Sequence, residues 1–254
     1  MPTTSPPARP AQFAVLLAII GWLVITACRI AGPSDLYDKE QPRTASYTAD
    51  ILLHHNWMLP DDTFGIPATK PPLYNWIDVP FVALFGYQEW ALKVPSLLAS
   101  AAVLLCIFLA AGQIPGKSRH TLGALAGIMW LASFMTAKLM YVARPDMLVT
   151  ALLVGCWVSA NSILMNRRTR NGAALTFWLC ATGAALTKGP IALIPIAYLI
   201  AGAPILTGRW NSLKRAGFWW GLPLLLGVFG IWAYIAYRQE PEFFRQVLLG
   251  REVA

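Results

Sequence analysis

The ten residues from Ser34 to Arg43 hold three carboxylates, Asp35, Asp38 and Glu40, and two cations, Lys39 and Arg43. A carboxylate can take the proton from a hydroxyl nucleophile, so this segment supplies candidate general bases. Fixed cations do the opposite work: in a partly dehydrated site they stabilise negative charge as it develops. Lys70 in Lys70-Pro71-Pro72, Arg144 in Arg144-Pro145-Asp146 and Lys188 in Lys188-Gly189-Pro190 are of that type. Asp146 can pair with Arg144 or sit at a helix N-terminus, where an acid is favoured. Other chemistries lack their residues. His54 and His55 are adjacent, and adjacent side chains on a helix do not face each other. Cys28, Cys106, Cys156 and Cys180 fall in four separate apolar blocks without zinc spacing, and read as buried apolar residues. No cofactor is predicted, and the carboxylates make no clear ligand set for a divalent cation. No glycine-rich phosphate loop of the P-loop type occurs.

The elements that must position these residues are membrane spans. Of 254 residues, 57% are apolar and 13% are charged, with a formal charge of +8. A soluble domain carries about 25% charged residues. The apolar residues gather in blocks suited to a hydrocarbon core about 30 Å thick. Seven spans are predicted, near Phe13–Ala31, Val94–Ala111, Leu122–Tyr141, Met147–Met165, Ala173–Thr187, Ile191–Thr207 and Ala216–Tyr237. Pro195 and Pro204 predict kinks in the sixth, and Lys188-Gly189-Pro190 a tight hairpin before it. Ile25-Thr26-Ala27-Cys28 resembles a lipoprotein cleavage motif, but a polytopic chain keeps its first span as an anchor.

Charge orients the bundle. The segments near 1–12, 113–121, 166–172 and 208–215 contain Arg9, Lys117, Arg119, Arg167, Arg168, Arg170, Arg209, Lys214 and Arg215 and no acid. The positive-inside rule places them, and the N-terminus, in the cytoplasm of a multi-pass plasma (inner) membrane protein. The exoplasmic, or periplasmic, side then receives a long first loop, 32–93, together with Arg144-Pro145-Asp146 and Lys188-Gly189-Pro190. Within that loop Tyr47–Trp57 reads as a short helix. Ile77–Phe85 is apolar but too short to span, and so lies in the interface with Trp76 at headgroup level. The other tryptophans, including Trp219, Trp220 and Trp232, read as interfacial belts and helix packing, and Lys138 as a snorkelling lysine. The basic loops are too short and scattered for nucleic acid.

These motifs in this order resemble one family of membrane enzymes. They are an acid-rich outer segment ending in Arg43, a helix ending in Asn56-Trp57, Lys70-Pro71-Pro72-Leu73-Tyr74-Asn75-Trp76, Arg144-Pro145-Asp146-Met147 and Ala185-Leu186-Thr187-Lys188-Gly189-Pro190. The family is that of the polyprenyl-phosphate-dependent glycosyltransferases that add aminoarabinose to lipid A, relatives of the protein O-mannosyltransferases. The resemblance implies an all-α polytopic GT-C-like fold, with interfacial helices in the first outer loop. It also implies an active site at the outer surface that takes sugar from a polyprenyl-phosphate donor, with inversion, to a lipid, glycan or protein acceptor. The family acid, usually Asp followed by Glu, falls by spacing on Glu40, and the next position is Gln41. That departure leaves Asp38 as the alternative acid. As cations at the outer face, Lys70 first and then Arg144 and Lys188 are the candidate donor-phosphate ligands, with Arg43, Asp146 and Tyr74 as candidate supporting residues. Family members are about twice this length, so the chain, 1–254, corresponds to the N-terminal portion of a single transmembrane domain.

Two other classes fit an apolar bundle: a transporter or lipid-handling protein, and a non-catalytic membrane subunit. A transporter places ionisable groups near the midplane, often in repeated halves. Here the deep positions are nearly all apolar and no internal repeat occurs.

Overall fold

The computed structural model describes residues 9–37, 40–115, 118–165, 171–208, 210–243 and 245. Its helices are α1 (Arg9–Ala31), α2 (Glu40–His54), α3 (Leu73–Phe85), α4 (Glu89–Ala111), α5 (Arg119–Leu131), α6 (Phe134–Leu139), α7 (Asp146–Met165), α8 (Asn171–Lys188), α9 (Leu193–Thr207), α10 (Ser212–Arg215), α11 (Phe218–Gln239) and the single turn α12 (Pro241–Phe243). Among the described residues the only β-type pairing is an isolated bridge between Asp61 and Pro67. Five runs are long and apolar enough to cross a membrane: Gln12–Ala31, Glu89–Ala111, Asp146–Met165, Gly172–Thr207 and Phe218–Gln239. Their outward faces carry exposed Phe13, Leu16, Leu23, Leu105 and Ile231, the surface a lipid environment requires.

The 36-residue run Gly172–Thr207 is two spans. One straight helix of that length would reach about 54 Å, well beyond the hydrocarbon core. The contacts show the reversal. Cys156 bonds to Phe177 O and Asp146 to Lys188, so α8 runs against α7. Tyr198 bonds to Asn161, and a Cβ at Gly202 would meet Leu164, so α9 runs with α7. The chain turns at Gly189, whose φ is +55°, through a 3-10 segment Gly189–Ala192. This is the hairpin expected from Lys188-Gly189-Pro190.

The stretch expected as one span over Leu122–Tyr141 is not one helix. α5 stops at Leu131, Ser133 is extended, and α6 lasts six residues. Met140, Tyr141, Val142 and Ala143 then follow as buried, non-helical chain. Such backbone survives at the end of a bundle only if its polar groups are bonded. Ser96 Oγ donates to Val142 O at 2.6 Å, Gln41 Oε1 accepts from Ala143 N at 2.9 Å, and Tyr74 Oη lies 3.3 Å from Val142 O.

Small residues let the spans approach closely. A Cβ on Gly127 would meet Leu104 at 2.8 Å, and one on Gly155 would meet Cys180 at 3.0 Å. The largest apolar core joins α7, α8, α9 and α11 around Trp178, whose indole donates to Ala216 O at 2.8 Å. A second core joins α3, α4 and the start of α7. The outer-loop helices begin earlier than the sequence reading placed them, at Glu40 rather than Tyr47 and at Leu73 rather than Ile77. Trp76 and Trp232 tie the connection between them to the bundle by donating to Trp57 O and Met58 O, at 2.6 and 2.9 Å. These two tryptophans are fasteners as well as interfacial rings.

Candidate active site

The register of α2 against α3 builds the site. The two helices run parallel: Asn75 Nδ2 donates to Thr44 O at 2.8 Å, and Thr48 Oγ1 lies 2.9 Å from Asp78 Oδ2. Those pairs are 31 and 30 residues apart, and the same offset, 30 residues, sets Glu40 at the head of α2 beside Lys70 at the entry to α3. Lys70 Nζ lies 3.5 Å from Glu40 Oε2, with both side chains about two-fifths exposed. The pair is long, reachable from outside, and held by a buried ladder rather than by its own contact.

Glu40, Arg43, Thr44, Tyr47, Thr69, Lys70, Pro71, Tyr74, Asn75 and Pro145 line one small pocket. Burial pushes the Tyr47 phenol up to about 12, so it remains a neutral donor there. Arg43 Nε reaches Asp62 Oδ2 at 3.3 Å. Tyr74 reaches the pocket with part of its side chain, but its hydroxyl is buried between Leu92 O, Ser96 Oγ and Val142 O. It therefore supports the site by holding α3 to α4 and to the 140–144 segment.

Pro145 brings the second cation group to the pocket's edge. Asp146 starts α7 and takes Lys188 Nζ at 2.6 Å on one oxygen and Arg144 Nε at 3.1 Å on the other. Arg144 and Lys188, from motifs 44 residues apart in the chain, thus meet on one carboxylate at the head of α7. Both readings of Asp146 hold: it is a helix-start acid and the arginine's partner. Among the described residues, Arg43, Lys70, Arg144 and Lys188 gather with Glu40, Asp62 and Asp146 around the pocket and its rim. Asp38, the alternative acid, lies outside the described residues. His54 pairs with Asp50 at 2.7 Å, and among the described residues no group of three or more His, Cys, Asp or Glu is placed to hold a metal ion.

Sequence reasoning missed a buried cluster behind the pocket. Lys93, fully buried, contacts Asp35 and Glu89 at 2.5 Å each and lies 4.5 Å from the centre of the Tyr141 ring. Arg29 adds a second cation to Asp35 at 2.6 Å. Burial acts to raise the Asp35 carboxyl, but the bonds from Lys93 and Arg29 outweigh it and hold it below the usual carboxylate range. The i,i+4 spacing of Glu89 and Lys93 was visible in the sequence. That Asp35 would close on them was not.

Residues 69–234 match the family model described as dolichyl-phosphate-mannose-protein mannosyltransferase. The chain belongs to this family. Among curated relatives, an undecaprenyl phosphate-alpha-4-amino-4-deoxy-L-arabinose arabinosyl transferase from Shewanella sediminis is 24% identical, over 84% of this chain and 39% of its own. One of the same name from Erwinia tasmaniensis is 27% identical, over 82% of this chain and 38% of its own. The chain thus spans about two-fifths of the length of the curated relatives it matches. The crystal structure of ArnT from Cupriavidus metallidurans bound to undecaprenyl phosphate superposes with a TM-score of 0.76 at 20% identity, covering 92% of this chain and 42% of that one. The fold of this mannosyltransferase-family chain is accordingly the polytopic GT-C-like fold expected from its sequence.

Proposed function

We propose that the protein is a membrane glycosyltransferase. In this reading it takes a sugar from a polyprenyl-phosphate donor and gives it, with inversion, to a lipid, glycan or protein hydroxyl at the exoplasmic face, its N-terminus in the cytoplasm. The observation that carries the reading is the Glu40–Lys70 pair, loose and half exposed at the lip of an apolar bundle, with Arg144 and Lys188 beside it. A donor phosphate that reaches this lip competes with Glu40 for the Lys70 ammonium. Engaging Lys70 frees the Glu40 carboxylate to accept a proton from the acceptor hydroxyl. The hydroxyl oxygen then bonds to the anomeric carbon while the bond to the phosphate oxygen breaks. The electron pair stays on the phosphate, where Lys70 and the Arg144–Lys188 group stabilise it. The relatives named for an undecaprenyl-phosphate-linked arabinose support this donor class. A transporter is disfavoured because, among the described residues, the ion pairs cluster at one end of the bundle.

The test uses membranes containing the protein and a radiolabelled polyprenyl-phosphate sugar. Transfer that falls by roughly a hundredfold or more in Glu40→Gln and in Lys70→Ala is the expected result. Wild-type transfer in both variants would remove the site. Cysteine labelling of residues 40–75 checks the face, since labelling only from the cytoplasmic side would invert the topology.

A further inference from the structure

Gln41 stands where the resembling family carries a second acid, yet it does not line the pocket. It is buried to 1% exposure and points the other way. Its amide joins two segments that are far apart in sequence. Nε2 donates to Asp35 O at 2.7 Å and lies 3.4 Å from Asp35 Oδ1, and Oε1 accepts from Ala143 N at 2.9 Å. Asp35 is itself held by Arg29 of α1 and Lys93 of α4, while Ala143 precedes Arg144. We infer that Gln41 is a positioning residue: it bolts the first turn of α2 between the Asp35 cluster and the Ala143 amide, and so fixes Glu40 relative to the cation group at the head of α7. The inference rests on the transferase reading of the pocket.

The chemistry of the position explains why an amide is there. One end must donate, to a carbonyl beside an anionic carboxylate, and the other must accept from a backbone N–H. Gln supplies both, as would a protonated carboxylic acid; a carboxylate supplies only acceptors. An ionised Glu at this position would set its second oxygen against Asp35 O and the Asp35 carboxylate. The other charged or titratable groups around it are Lys93 and Glu89 from α4, Arg29 from α1, Tyr141 before α7, and Glu40 on its own helix.

The consequences divide between rate and binding. The 142–144 segment keeps its Ser96 bonds when Gln41 is lost, and Lys70 is carried by the entry to α3. Losing the amide therefore loosens the first turn of α2, which the Thr44–Asn75 rung holds only from its far end, and leaves the phosphate-facing cations in place.

The experiment measures kcat and donor KM in membranes for wild type, Gln41→Met and Gln41→Glu, across about pH 6 to 8. Gln41→Met is expected to lower kcat by roughly tenfold to a hundredfold, the cost of a small displacement of a reacting group, with donor KM nearly unchanged. Gln41→Glu should resemble it near pH 8 and regain activity relative to wild type as the pH falls, because the protonated acid restores the donor. Wild-type kcat in both Gln41 variants, or equal losses at every pH in Gln41→Glu, overturns the inference. If Gln41→Met fails to fold, the pH response of Gln41→Glu decides alone. Glu40→Gln and Lys70→Ala run in parallel: if they are inactive while the Gln41 variants work, only this inference falls. If they are active, or wild type shows no transfer, the transferase reading falls and takes it along.

Discussion

Two lysines at the same end of the bundle each meet a glutamate, and the two encounters differ. Lys93 is fully buried, with both acids at 2.5 Å and a tyrosine ring over its ammonium. Lys70 is two-fifths exposed, with one acid at 3.5 Å. Burial of a charge is costly unless it is fully paired, so the first cluster must stay saturated for the fold to hold. The second pair gains little from its own attraction at that exposure. Its geometry is set from outside, by the Thr44–Asn75 and Thr48–Asp78 rungs that fix α2 against α3. Saturated ion pairs hold the scaffold, whereas a loosely paired couple can exchange its partner, as the proposed transfer requires.

Opposite responses to substitution would sharpen that contrast. Combining Glu40→Gln with Lys70→Ala should abolish sugar transfer, by roughly a hundredfold or more, while the thermal midpoint in detergent stays near the wild-type value. A large fall in midpoint would break the comparison, since it would make the exposed pair structural. Lys93→Met should do the reverse to stability. It leaves Glu89 without its ammonium and Asp35 with Arg29 alone, and costs on the order of 3 kcal/mol, read as a lowered unfolding midpoint. Far from both clusters, Gly221→Ala should cost about 2 kcal/mol, because its Cβ would sit 2.2 Å from ring atoms of the buried Trp178. An unchanged midpoint would mean that α11 shifts freely on α8.

A last test, read as a pH slope, concerns the ladder itself. Asp78 is fully buried, and among the described residues its Oδ1 has no hydrogen-bond partner. Burial pushes its carboxyl up to about 7 from an ordinary 3.8, only partly offset by the bond with Thr48. Between those values the folded protein holds a proton that the unfolded chain releases. Stability therefore falls as pH rises through that window and levels off above it. Asp78→Asn should flatten the dependence, removing a slope of roughly 1 kcal/mol per pH unit in unfolding measured from about pH 4 to 8. A wild-type curve already flat there would show that Asp78 is ionised in the fold.

Much of the candidate site was legible because its ionisable residues lie in short motifs. Lys70 between Thr69 and two prolines, Arg144-Pro145-Asp146 and Lys188-Gly189-Pro190 were each visible, and the structure gathers them around one pocket and its rim. The partnerships were not visible. That Asp146 bridges Arg144 and Lys188 depends on α8 returning to the head of α7, 42 residues later. Gln41 read as a departure from a catalytic pair, since nothing local says that its amide faces Asp35 and Ala143, the latter 102 residues away. The break after Leu131 was hidden for a related reason. Hydropathy continues through Phe134 and Met135, and distant side chains, among them Arg29, Gln41, Ser96 and Tyr74, make an unwound 140–143 segment tolerable.

The sequence by itself determined that this chain is a helical membrane bundle with the acids and motif cations of its described residues gathered toward one end. Apolar block length and charge distribution are properties of composition along the chain, and the bilayer reads them without reference to neighbours. Tertiary structure alone decided which lysine is saturated, which is loosely paired, and which glutamine is buried between two distant segments. Pairing and burial depend on distances between helices, and those are set by packing registers that no single segment encodes.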